Sequence, residues 1–98
     1  MTLRVVFQEL AVVELNEAAA FYGRARPGLG VAFLDAVEIA VNAVASHPLG
    51  GRAIEGDVRL WLVRRFPYRV FYRVCDDHVR VLAIGHQKRS PAFWHGRV

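Results

Sequence analysis

The stretch VRRFPYRVFYRVCDDHVRVLAIGH, residues 63–86, decides the fold. Apolar side chains alternate with arginines and other polar groups on both sides of Asp76-Asp77, so Tyr68 to Cys75 and Val79 to His86 read as two strands. Aspartate tolerates left-handed dihedrals, which predicts a tight two-residue hairpin at Asp76-Asp77. Cys75 then faces His78, Val74 faces Val79, Arg73 faces Arg80 and Tyr72 faces Val81. One face carries Tyr68, Val70, Tyr72, Val74, Val79, Val81 and Ala83, which suits a helical layer. The other carries Arg69, Phe71, Arg73, Cys75, His78, Arg80, Leu82, Ile84 and His86. Upstream, Val58 to Arg65 is a third strand. A tight Phe66-Pro67 turn adds Val58, Leu60, Leu62 and Arg64 to the arginine face. A one-residue change in that turn substitutes Arg59, Trp61, Val63 and Arg65, so the choice between Arg64 and Arg65 stays open.

Working outward, Leu3 to Phe7 is β-branched and apolar enough for an opening strand. From Glu9 to Arg24 the period becomes helical, with Ala11, Leu15, Ala18 and Tyr22 on one face. Arg26-Pro27-Gly28 breaks that helix. A second helix spans Leu29 to Ser46, with Phe33, Val37, Ala40 and Val44 as its apolar stripe. Pro48 ends it by disfavouring helical dihedrals at His47. Leu49 to Gly56 is a glycine-rich loop. In the tail, Gln87 to Val98, Ser90-Pro91 has the character of a helix cap and first-turn proline, and Phe93 and Trp94 fold back onto the body. The expectation is a single α+β domain over residues 1–98, ordered β-α-α-β-β-β. A helical hairpin packs on one face of a mainly antiparallel sheet.

The chain has 98 residues, 54% hydrophobic and 22% charged, too apolar for disorder and too short for a second core. No uninterrupted apolar run reaches the roughly 18 residues that span a bilayer, and the N-terminus lacks a signal-peptide pattern, so no membrane partner is expected. Cys75 is the single cysteine, which removes disulfide frameworks and multi-cysteine zinc sites and fits a reducing, cytoplasmic setting. Net charge is +4, unevenly distributed. Residues 1–55 hold four basic and six acidic side chains, and residues 56–98 hold nine basic and three acidic. Twelve of the thirteen basic residues are arginine, whose planar fork pairs with carboxylates and phosphates. A GC-rich genome accounts for arginine over lysine, but not for their concentration in one half.

The arginine face is therefore the candidate site. Single arginines on an open sheet face are ordinarily solvated. Arg64, Arg69, Arg73, Arg80 and Arg89, gathered with Phe71, Leu82 and Ile84, make an arginine-apolar patch that calls for a cover. Arg73 opposite Arg80 costs stability unless an anion lies between them. The occupant is an acidic, partly apolar peptide, a nucleic acid, or each in turn. For phosphodiester cleavage, Arg64, Arg69 and Arg89 would hold the phosphate and His86 would carry the proton. A histidine at a strand end is, however, more often structural. No histidine and carboxylate cluster has metal-ligand spacing, and Gly28-Leu29-Gly30 follows no strand, so neither a metal nor a nucleotide cofactor is expected.

Several segments resemble the RelE/ParE toxins of type II toxin–antitoxin systems. They are Ala18-Ala19-Ala20-Phe21-Tyr22, Pro27-Gly28-Leu29-Gly30 with Phe33-Leu34, Val63 through Val74, and Ala83-Ile84-Gly85-His86 with Arg89-Ser90-Pro91-Ala92-Phe93-Trp94. The resemblance covers almost the whole chain and implies a small cytoplasmic toxin neutralised by an acidic, ParD-like antitoxin. RelE-type members cleave mRNA on the ribosome with lysines and arginines on the bare sheet face and a C-terminal tyrosine. Here Arg69 and Arg89 match arginines, but the lysine positions fall at Leu60 and Leu62 and the tyrosine position at Phe93. Leucine cannot hold a phosphate and phenylalanine cannot move a proton. The resemblance thus points to the ParE branch, found in plasmid stabilization modules, whose members poison DNA gyrase by binding. A RelE-type endoribonuclease acting on ribosome-bound mRNA is the alternative, and a nontoxic remnant the third reading.

Overall fold

The structure, a computed structural model, describes residues 2–98. The chain runs β1 (Arg4–Phe7), α1 (Glu9–Ala25), α2 (Leu29–Ser46), β2 (Arg52–Glu55), β3 (Val58–Val63), β4 (Tyr68–Val74), β5 (His78–His86) and a 3₁₀ turn at His95–Arg97. The two helices and the three long strands fall where periodicity places them. Gly28, at φ 85°, makes the sharp reversal between α1 and α2, a conformation that costs other residues a clash at Cβ.

The sheet has five strands in the order β1-β5-β4-β3-β2. β1 lies parallel to β5, with Val5 beside Val79 and Phe7 beside Val81, and the other pairs are antiparallel. The segment expected to be a loop, Leu49 to Gly56, contains β2. Arg52-Ala53-Ile54-Glu55 is too short and too charged to show a period of two, and it becomes a strand by pairing with Val58 to Leu60 of β3.

The stripe expected on each helix is the stripe buried. Ala11 and Ala18 of α1 and Phe33, Val37 and Ala40 of α2 pack on Val63, Val70, Val81 and Ile84 of the sheet. Val44 closes the far end on Tyr72 and Val79. Burying a side chain the size of Phe33 contributes about 2 kcal/mol. By length and composition α2 is apolar enough to cross a membrane, a property that scanning for uninterrupted apolar runs passes over because Asp35 and Glu38 break the sequence. Its apolar stripe is committed to the sheet.

Two details of register change which residues share a face. The β4–β5 hairpin closes at Asp76-Asp77 as expected, with Val74 opposite Val79, Arg73 opposite Arg80 and Tyr72 opposite Val81. The next pair, however, is Phe71 with Ala83, so Leu82 is an extra residue on β5. A bulge of one residue inverts alternation beyond it. Ala83 therefore joins Phe71 and Leu82 on the arginine face, whereas Ile84, expected there, packs under the helices. His86 pairs with Tyr68, an aromatic packed against the helical core, and so leaves the arginine face as well.

The β3–β4 connection differs too. Val63 pairs with Tyr68, making a four-residue turn from Arg64 to Pro67 instead of a tight Phe66-Pro67 turn. Arg65 adopts φ 73° within it. Both Arg64 and Arg65 lie in this turn and are exposed, so neither belongs to the paired part of the sheet. Val58, Leu60 and Leu62 sit opposite Arg73, Phe71 and Arg69, so they share the face that the first reading of that strand predicts, in a register shifted by two residues.

Candidate binding face

The sheet face away from the helices is built from alternating positions of β3, β4 and β5, and the C-terminal tail crosses its middle. Trp94, 3% exposed, joins Val58, Leu60, Phe71, Leu82 and Ala83 in a second apolar cluster. Phe93 stands edge-on to Phe71, with ring centroids 5.3 Å apart. Ser90-Pro91 opens a run of turns, not a helix. The Ser90 carbonyl accepts from the Phe93 N–H at 3.1 Å, and the chain tightens into the 3₁₀ turn that follows.

Gly85 lets the tail lie this close. A Cβ there would come within 2.5 Å of Cζ of Phe93, so only glycine leaves room for the ring. Glu14 of α1 then holds the tail down. β1 ends at Phe7, and beyond it the edge of β5 has no strand neighbour. The Glu14 carboxylate accepts the Ile84 N–H at 3.1 Å, the Arg89 guanidinium at 2.8 Å, and both terminal nitrogens of Arg97 at 2.7 and 3.0 Å. Arg97 also donates to the Leu82 carbonyl at 3.2 Å. Two side chains thus satisfy backbone groups that a longer β1 would have paired. Arg89 lies 4.1 Å and Arg97 5.2 Å from the centroid of the Phe93 ring. At the opposite margin His95 reaches Glu55 of β2 at 2.7 Å.

The tail divides the face into two exposed parts. Phe71 and Leu82 lie buried beneath it. Arg89 is engaged with Glu14. On one side are Arg73 and Arg80. Arg73 donates to Asp57 at 2.9 Å, while its Nε is buried with no hydrogen-bond partner among the described residues. Asp57 answers part of the like-charge cost that the Arg73–Arg80 register imposes. Arg4 adds an exposed pair with Asp77, whose carboxyl is held below its ordinary pKa, first by a hydrogen bond from His78 and then by Arg4. On the other side are Arg69, exposed Leu62, and Arg64 and Arg65 of the turn. Two concavities flank this pair. One, of about 430 Å³, lies between Gly50–Arg52 and Leu60–Leu62, and the other, of about 360 Å³, lies along the β3–β4 turn. Both are lined by Leu62 and Arg69.

His86 sits apart from these arginines. Its ring lies 5.2 Å from that of Tyr68, at the edge of an aromatic group that includes Tyr22, Phe33 and Phe66. Its Nδ1 accepts the Lys88 N–H at 3.0 Å, which puts the proton of a neutral ring on Nε2. Burial pushes the Tyr68 hydroxyl up from its ordinary pKa, and Arg89 partly offsets this. The structure therefore brings Arg69, Arg73 and Arg80 onto one face and puts His86 on the other.

Sequence reasoning missed Glu14, Arg97, Asp57 and Arg52. Glu14 falls off the apolar stripe of α1 and reads as a solvated residue. The one available signal was Gly85 inside a strand, which marks close approach of another part of the chain. Among the described residues no cluster of three or more histidine, cysteine or carboxylate groups has the arrangement to hold a metal ion.

A helical hairpin on a mixed sheet is an architecture that this chain shares with solved ParDE and RelE structures. The chain superposes on the chromosomal ParDE toxin–antitoxin system from P. aeruginosa with a TM-score of 0.76 at 17% identity, covering 87% of this chain and 96% of that one. It superposes on a free-state double mutant of the E. coli toxin RelE at 0.71 and 20% identity, covering 99% and 94%. For the toxin–antitoxin complex RelBE2 from Mycobacterium tuberculosis the values are 0.61 and 25%, covering 88% and 92%. No curated protein matches the sequence. The family model for the ParE toxin of the type II toxin–antitoxin system parDE matches residues 5–91, and the chain belongs to that family.

Proposed function

We propose that this ParE-family toxin acts by binding, with DNA gyrase as its target, and that an acidic antitoxin neutralises it. The observation that carries this reading is the chemistry of the open face. Leu60 and Leu62 occupy β3 and Phe93 covers Gly85, where RelE-type cleavage would require lysines and a tyrosine beside Arg69 and Arg89. Arginines beside an apolar surface suit a protein partner, because the arginines select acidic side chains and the apolar surface contributes most of the affinity. The antitoxin part is supported by the family itself and by likeness to structures of toxin–antitoxin systems.

A supercoiling assay tests the gyrase part. Micromolar toxin should block supercoiling or accumulate cleaved DNA, and an unaffected enzyme would overturn it. The alternative is a ribosome-dependent endoribonuclease. It draws on the likeness to RelE and on Arg69 and Arg89, but His86 lies on the opposite sheet face from Arg69. Primer extension on ribosome-bound message should show no new cuts if the binding reading is right.

A further inference from the structure

The two concavities that meet at Leu62 and Arg69 combine three features. Leu62 is 61% exposed, one residue from the end of a strand that buries Val58, Leu60 and Val63. A leucine that open on a regular strand gains little from folding. The backbone edge beside it is also unpaired, because β2 begins at Arg52 opposite Leu60 and leaves Trp61 to Val63 without a strand neighbour on that side. Short exposed edges of this kind are where extended peptides add to sheets. Finally, Arg52, Arg64, Arg65 and Arg69 surround the groove, and none forms an ion pair among the described residues. Arg73, Arg89 and Arg97, by contrast, each have a carboxylate.

Other exposed apolar side chains lie on the helical hairpin, among them Phe21, Val31 and Ile39. Helical spacing puts Glu17 and Arg24 beside Phe21 and Asp35 beside Val31 and Ile39, an acidic balance that suits an acidic partner less than the arginines of the groove do. Charge complementarity therefore assigns an acidic segment to the groove and not to the hairpin.

We propose that the groove over Leu62 is the anchor site for an extended segment of the antitoxin, which lies along the free edge of β3 at Trp61–Val63. The segment sets one apolar side chain against Leu62 and places carboxylates beside Arg69 on one flank and Arg52 on the other. This inference rests on the antitoxin reading above and is independent of whether gyrase is the target. The same feature that argues against phosphate chemistry, leucine beside the arginines of the face, becomes the apolar anchor. RNA would find cations around the groove but an uncharged, aliphatic floor.

The test uses the full-length toxin and the acidic protein encoded by the reading frame beside its gene, with affinity read by calorimetry. Leu62→Ser removes the apolar anchor and Leu62→Glu adds repulsion. Both sit at an exposed position, so circular dichroism and melting should match the parent. Leu62→Ser should weaken the complex about tenfold and Leu62→Glu more, and amide exchange over residues 60–66 should slow on binding. A parent complex that forms normally but ignores both substitutions would overturn the anchor site and leave the antitoxin reading standing. A parent toxin that binds no such protein would overturn both. Tight binding of a single-stranded oligouridylate that is unchanged in Leu62→Ser and displaces the acidic protein would assign the groove to RNA and overturn the proposal.

Discussion

The Glu14 carboxylate grips the Arg97 guanidinium through two hydrogen bonds, 2.7 and 3.0 Å, although 83 residues separate them. The pair joins the first helix to the last turn across the bare edge of β5, with only 11% and 13% of the two side chains exposed. It decides where the tail lies, and the tail decides how much of the arginine face is open.

Removing the carboxylate should therefore release the tail. Glu14→Ala leaves Arg97 largely buried without a counter-charge and the Ile84 N–H without an acceptor. The expected loss is about 3 kcal/mol in urea unfolding. Glu14→Gln keeps an acceptor and should lose less. Equal stability in all three proteins would mean the latch contributes nothing.

Gly85 sets the height of the tail above the sheet. Gly85→Ala brings a methyl group into the Phe93 ring and should cost about 1–3 kcal/mol. The tryptophan emission should shift to the red as Trp94 loses its seat on Phe71 and Leu82. A parent-like melting curve and spectrum would show that the tail adjusts without leaving.

Tyr72 ties the loop before β2 to the sheet. Its hydroxyl donates to the Pro48 carbonyl at 2.8 Å and accepts the Gly51 N–H at 3.0 Å. Burial raises its pKa above 10.0, with the Gly51 hydrogen bond and Arg59 lowering it in part. A folded pKa above the unfolded one means that the stabilisation is complete below the unfolded pKa and is lost as pH rises through the folded value. Melting temperature should fall steeply above about pH 10. Tyr72→Phe should cost about 1–3 kcal/mol at neutral pH and make that alkaline fall shallower, leaving the contribution of Tyr22 and Tyr68, which burial also raises. An unchanged alkaline slope would remove Tyr72 from this account.

Arg65 holds φ 73° in the β3–β4 turn. Left-handed backbone costs a residue with a Cβ about 1 kcal/mol, and a β-branched one more. Arg65→Gly should match or slightly exceed the parent in stability, and Arg65→Val should fall below it. The opposite order in thermal unfolding would mean the turn adopts another conformation in solution.

Much of the fold is legible in the sequence because it depends on local period. The stripes Ala11-Leu15-Ala18-Tyr22 and Phe33-Val37-Ala40-Val44, the stop at Pro48 and the turn at Asp76-Asp77 each follow from neighbours a few residues apart. The register of Tyr72, Arg73 and Val74 follows from the length of that turn. So does the grouping of Arg69, Phe71 and Arg73, because alternation on β4 is unbroken.

Tertiary structure decided what local period cannot encode. Alternation alone places Ile84 and His86 beside the arginines, but the extra residue at Leu82 sends both to the helical side. The bulge is a pairing event between strands, and nothing in Val81-Leu82-Ala83 announces it. β2 exists only because β3 offers Arg52-Ala53-Ile54-Glu55 an edge. Glu14, Arg97 and Trp94 meet through contacts far apart in sequence, where the gain comes from pairing opposite charges and burying apolar surface. The sequence by itself determined that an arginine-rich apolar face would exist. Only the folded chain decided that its tail would cover the centre and leave Leu62 open, because that choice rests on long-range packing and not on the preference of any residue for its neighbours.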